Sequence, residues 1–165
     1  MERLLVVLVA VALLTGAEVV GQSKRGSLQG VWQTVEVTLP GPGARTIKIH
    51  EPRPNLMIVT AKHYSRVEVQ AEGPRPMPAD VANASADELR AVWGPFVGEA
   101  GTYEVTSGSA ITMRPLAAKN PAAMVPGAFI TYSYRLDGDT IWVTQQRNQQ
   151  GHFANPVTIK AVRIE

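Results

Sequence analysis

Apolar and polar residues alternate with a period of two over much of the chain. Between Val31 and Leu39, Val31, Val35, Val37 and Leu39 share one face and Thr34, Glu36 and Thr38 the other. That is the pattern of a strand with one buried side. Similar runs, rich in β-branched and aromatic residues, recur at 46–50, 56–60, 63–70, 102–106, 110–116, 128–136, 140–146 and 157–164. Between them stand Pro40-Gly41-Pro42-Gly43, Pro52-Arg53-Pro54, Ser107-Gly108-Ser109 and Asp137-Gly138-Asp139. Asp-Gly readily adopts the positive φ of a tight hairpin, so 128–136 and 140–146 are predicted to be hairpin partners. The pattern predicts an all-β protein, an antiparallel up-and-down barrel or sandwich of about eight or nine strands.

One stretch changes period. Leu89, Val92, Trp93 and Phe96 fall at i, i+3, i+4 and i+7, a helical stripe. Ser85 with Glu88 three residues on is a capping-box signature, and Gly94-Pro95 should stop the helix near Trp93. An amphipathic helix among strands must lay its stripe on something apolar. The expectation is a lid at the open end of a barrel, with Trp93 and Phe96 at the cavity mouth. A helix covering a sheet edge or face is the alternative. Gly73-Pro74-Arg75-Pro76-Met77-Pro78 reads as a stiff extended lead into it.

The N-terminus has neither period. Arg3 precedes an unbroken apolar run from Leu4 to Leu14, with small residues at Gly16, Ala17 and Gly21. Such a run is shorter than the roughly 20 residues needed to span a bilayer and has the layout of a secretory signal peptide. Residues 1–21 are therefore expected to be a cleaved leader and 22–165 one exported domain, with no stable membrane insertion after cleavage.

Composition then narrows the chemistry. The 165 residues include no cysteine, which excludes disulfides, thiolate metal sites and a cysteine nucleophile. The formal charge is +2, and loss of Arg3, Glu2 and Glu18 with the leader makes it +3. That gives no reason to expect a nucleic-acid partner. No G-x-S-x-G, H-E-x-x-H or P-loop is present, and His50, His63 and His152 are too scattered to make a metal site by spacing. No cofactor, metal or catalytic residue is assigned.

A barrel interior is the remaining place for a site. On the 63–70 strand His63, Ser65, Val67 and Val69 share a face, opposite Tyr64, Arg66 and Glu68. With the first set inward, His63 and Ser65 become polar groups at one end of an apolar cavity. Ile130, Tyr132, Tyr134 and Leu136 alternate onto one face, and Tyr103 and Met113 lie on similar faces. Buried phenols need hydrogen-bond partners, so these are core or ligand contacts. Ile141 and Val143 share parity with Gln145 and Arg147, which would turn the inner face polar at a rim.

Three stretches carry a family resemblance: Gly30-Val31-Trp32, Ile58-Val59-Thr60-Ala61-Lys62-His63-Tyr64-Ser65, and Gly94-Pro95-Phe96 with Ala100-Gly101-Thr102-Tyr103-Glu104-Val105. Arg114-Pro115-Leu116 and Ala118-Lys119-Asn120-Pro121 follow in order. The chain resembles the bacterial lipocalin-like domain proteins, small exported calycin-like barrels. The resemblance implies that Trp32 packs across the closed barrel base with Arg163 as its partner, and that the protein is periplasmic or secreted. The Thr-Asp-Tyr motif of true lipocalins is missing, since Thr131-Tyr132 lacks the acid, and no helix follows the last strand.

Three functions follow. The first is binding of a small, largely apolar or amphipathic molecule inside the barrel, through His63, Ser65, Tyr103, Met113, Tyr132, Tyr134 and Arg147. The second is an isomerase, cyclase or hydratase with His63 as acid/base. The third is a structural or interaction protein whose barrel is filled by its own side chains. The two ligand readings require a cavity of roughly 300 Å³ or more.

Overall fold

The computed structural model describes residues 27–48, 55–71 and 73–165. The expected leader and His50 lie outside the described residues. Among the described residues ten strands form one antiparallel sheet: β1 (Gly30–Leu39), β2 (Arg45–Lys48), β3 (Asn55–Val59), β4 (His63–Val69), β5 (Phe96–Ser107), β6 (Ala110–Ala118), β7 (Ile130–Asp137), β8 (Thr140–Asn148), β9 (Gly151–His152) and β10 (Thr158–Arg163). Helix α1 (Ala86–Trp93) precedes β5, and a short 3₁₀ turn, Pro121–Met124, follows β6.

The sheet closes on itself. The ring order is β1, β3, β4, β5, β6, β7, β8, β10, and β10 pairs with both β8 and β1. Eight strands therefore make a closed barrel, with β2 an outgrowth on β1 and β9 one on β8. Closure removes the exposed edges of an open sheet.

Strand β1 completes the wall in two halves. Gly30 to Trp32 pair with β3, whereas Glu36 to Leu39 pair with β2. Between them Asn55 replaces a ladder rung: its Oδ1 accepts from the Thr34 backbone N–H at 2.6 Å, and its Nδ2 donates to the Thr34 carbonyl at 3.3 Å. A bulge between Thr34 and Glu36 resets the parity, so Trp32 opposes Arg163 and Thr34 opposes Ala161, while Val37 opposes Ile159. Simple alternation from Val31 placed Val31 and Val37 on one face. The bulge is why they part.

The barrel base is bound by charge and aromatic contact. Trp32 is buried, and its indole N–H donates to the Leu28 carbonyl at 2.9 Å. The Arg163 guanidinium lies 4.2 Å from the Trp32 ring centroid and donates to the carbonyls of Gln29 and Ser27, the latter at 2.5 Å. Its Nε stands 3.3 Å from an Asp139 carboxylate oxygen. Gly30, at φ 143°, lets the guanidinium approach; a Cβ there would stand 2.6 Å from the Glu165 carbonyl and clash with Arg163. Above this base two clusters merge into one core. One holds Trp32, Val59 and Ile141, the other Tyr64, Ile111, Met113 and Tyr132, and both share Leu28, Met57, Tyr103, Tyr134 and Val143.

Helix α1 has the expected capping box at Ser85 and Glu88. It is not a lid. The stripe ends at Trp93, because Phe96 opens β5 and projects outward over Gly98. Lys119 donates to the carbonyls of Trp93, Gly94 and Phe96, a cation at the helix C-terminus that ties the helix to the start of β5. Arg75 donates to the Val92 carbonyl at 3.1 Å. Among the described residues no helix is long and apolar enough to cross a membrane.

Arg163→Met should destabilise the protein by about 2–4 kcal/mol, since it removes a buried cation–π contact and strands two carbonyls. Asp139→Asn, at a site 59% exposed, should cost less than about 1 kcal/mol. Urea unfolding of the two variants checks the ranking. Equal losses would mean that the guanidinium does not hold the base.

Candidate functional site

The phase set by closure decides what faces inward. Opposite residues in antiparallel strands share a face. Tyr64 opposes Gly101, Arg66 opposes Glu99, and Met57 opposes Arg66. All of these point inward with Trp32 and Val59. His63 and Ser65, opposite Thr102 and Ala100, point outward and are exposed; Val67, opposite Gly98, is exposed too but also borders the cavity. The expectation for β4 is therefore reversed. Tertiary pairing put the charged set inside and the half-apolar set outside, against the preference that alternation alone suggests. His63 is on the outer wall and cannot act as acid or base in the interior.

The cavity inside the barrel has a volume of about 70 Å³. Trp32, Ile111, Met113, Ile141, Val143 and Ala161 form its apolar floor and walls, and Tyr64, Arg66, Glu68, Glu99 and Tyr132 its polar side. Tyr103, Met113 and Tyr132 line it as the sequence suggested. Tyr134 packs in the core without bordering the cavity. Arg147 is exposed, its guanidinium 5.3 Å from the Phe129 ring centroid on the outer surface. A bulge explains it: Thr131 opposes Arg147 but Tyr132 opposes Gln145, so Gln146 is the extra residue and parity flips there. Neither Trp93, which is exposed and packs edge-on to Phe96, nor Phe96 borders the cavity.

Sequence reasoning missed the polar group. Arg66 and Glu99 are directly opposed on the inner face, with guanidinium nitrogen and carboxylate oxygen 3.7 Å apart and side chains 26% and 13% exposed. That is an ion pair without hydrogen-bond contact. Tyr64 donates its phenol proton to Glu99 at 3.1 Å. The Arg66 Nε is buried with no hydrogen-bond partner among the described residues. Burial works against the charged guanidinium, but Tyr132, Glu99, Glu68 and Tyr64 around it outweigh that and raise its pKa. Burial and the adjacent Glu99 carboxylate push the Tyr64 phenol far above its usual pKa. Tyr132 rises mainly through burial, against the opposing pull of Arg66. Burial and Tyr134 raise Tyr103, whose hydroxyl donates to the Thr60 carbonyl at 2.8 Å near the base.

One sequence signal pointed to this group. Arg66 and Glu68 interrupt a β-branched strand with the same parity as Tyr64, and Glu99 stands between two glycines, Gly98 and Gly101, whose small size lets strands approach closely. Among the described residues no group of three or more His, Asp or Glu side chains is placed to hold a metal ion. Comparison with protein-family models and with curated protein sequences gives no match for the chain.

The arrangement makes two predictions. Arg66→Met should cost about 2–4 kcal/mol because it leaves Glu99 charged and unpaired inside the barrel, whereas Arg66→Met with Glu99→Gln should regain more than half of that. A double-mutant cycle by urea unfolding measures the difference, and additive losses would deny the coupling. Phenols with raised pKa stabilise the fold fully below the unfolded value of about 10, and that contribution is lost as pH rises beyond it. Stability should therefore fall above about pH 10, and Tyr64→Phe should flatten that fall. Tyrosinate absorbance against pH should show Tyr64 and Tyr132 ionising only as the barrel unfolds. Smooth titration of every phenol near pH 10 in folded protein would contradict this.

Proposed function

We propose that the protein is an exported, lipocalin-like barrel that binds one small, mostly apolar molecule in its interior. The supporting observation is the pairing of an apolar pocket with a partly buried guanidinium, 3.7 Å from Glu99, whose Nε is buried without a hydrogen-bond partner among the described residues. Unsatisfied buried polar groups cost stability and cluster where something else binds. The leader-like residues 1–21 support export.

The cavity falls short of the roughly 300 Å³ that the ligand readings of the sequence required, so a ligand of that class is ruled out and the proposal narrows to a molecule of a few heavy atoms. A space of about 70 Å³ is well under the roughly 300 Å³ of pockets for drug-sized molecules, and it holds on the order of five heavy atoms. A drug-sized occupant does not fit this barrel. The same figure favours the second reading, a barrel filled by its own side chains that acts through its surface. The outward Ile58, 42% exposed and not bordering the cavity, is an apolar position on that surface.

The two readings separate in one experiment. Ala161 borders the cavity on β10, and Ala161→Leu should fill it. Protein purified from its own cells and then denatured should release one small molecule in near-stoichiometric amount, measured by gas chromatography with mass spectrometry. The filled variant should release none. Repeated recovery of empty wild-type protein would leave the filled barrel as the correct reading.

A further inference from the structure

Resting on that reading, we infer that the ligand is a neutral molecule bearing one hydrogen-bond-accepting oxygen, a small ketone, aldehyde or ester, seated with its oxygen on Arg66 and its hydrocarbon part against Ile111, Met113, Val143 and Ala161.

The charges select the head group. The polar side of the cavity holds one cation, Arg66, and two carboxylates, Glu68 and Glu99. With the phenols of Tyr64 and Tyr132 neutral, that wall carries a net charge of −1. Each acid is already engaged: Glu99 accepts from Tyr64 and faces Arg66, and Glu68 accepts from the Gln70 amide at 2.5 Å. Acceptors on this wall have partners. What is left over is donor capacity: the Arg66 Nε–H is buried with no hydrogen-bond partner among the described residues, and a terminal nitrogen stands 3.7 Å from Glu99, beyond hydrogen-bond contact.

A carboxylate head would satisfy those donors but bring a second net negative charge beside Glu99 and Glu68 in a low-dielectric space. It would also surrender its hydration on entry. An ammonium head would suit the acids but confront the guanidinium and leave its N–H groups unmet. A pure hydrocarbon would fill the floor and leave them unmet as well. A carbonyl oxygen meets the free donors, adds no charge and loses little hydration, so it matches the wall best. The cavity volume limits the rest of the molecule to a few carbons.

The methionines supply the readout. Met57 and Met113 border the cavity, while Met77 and Met124 are exposed outside it. Full-length protein labelled with carbon-13 at methionine methyls can be titrated with cyclobutanone, cyclopentane and propanoate, matched in size. Cyclobutanone should shift Met57 and Met113 but not Met77 or Met124, with a Kd at least about ten-fold below those of the other two, a difference of roughly 1.4 kcal/mol. Arg66→Met with Glu99→Gln, which removes the pair together, should bind cyclobutanone and cyclopentane equally. Retention of the preference in that variant overturns the role of Arg66. If cyclopentane or propanoate binds wild type as tightly as the ketone, the head-group inference fails while interior binding stands. If none of the three moves Met57 or Met113, interior binding itself fails.

Discussion

Closure of the sheet governs the rest of this molecule. Strand β10 pairs with β8 on one side and β1 on the other, so no strand of the ring can slip in register without displacing the next. With no cysteine in the chain, this ladder and the base beneath it do the work that cross-links do in disulfide-bonded folds. Arg163 sits where they meet. Its backbone belongs to the closing seam, its guanidinium covers Trp32, and its N–H groups hold the segment that leads into β1. Without that residue the Ser27 and Gln29 carbonyls would lose their donor where the segment before β1 meets β10.

Closure also fixes the phase of every strand, and the phase makes the site. Once Tyr64 is inward beside Val59, Arg66 and Glu68 must follow on the same face, charged or not. Burying a guanidinium and a carboxylate costs more than an apolar pair of the same volume would. The barrel keeps them regardless, at a contact too long for a hydrogen bond and next to a small apolar space. The proposed interior ligand gives that arrangement a use.

The strands, the Asp137-Gly138 hairpin and the capped helix were legible in the sequence because each depends on local chemistry: alternation, positive φ at one glycine, and Ser85 with Glu88. Which face of β4 turns inward was not. His63 and Ser65 sit with two valines, and Tyr64 with two charged residues, so hydrophobicity pointed the wrong way. Only the pairing of Arg66 with Glu99, distant in sequence, reveals the true phase. Arg147 was misplaced for a related reason, since a bulge at Gln146 carries no sequence mark and reverses parity beyond it. Helix α1 was found, but its docking was set by Lys119 and Arg75, which reach it from other parts of the chain.

The central claim is that the Arg66 guanidinium stays inside the barrel because a small molecule satisfies it. A high-resolution crystal structure of protein purified from its own cells tests this most directly. The account predicts ordered density in the cavity between Met113 and Ala161, with one acceptor atom in hydrogen-bond contact with Arg66. Arg66 turned out to solvent, with apolar side chains meeting where it stood and no density between them, would contradict it.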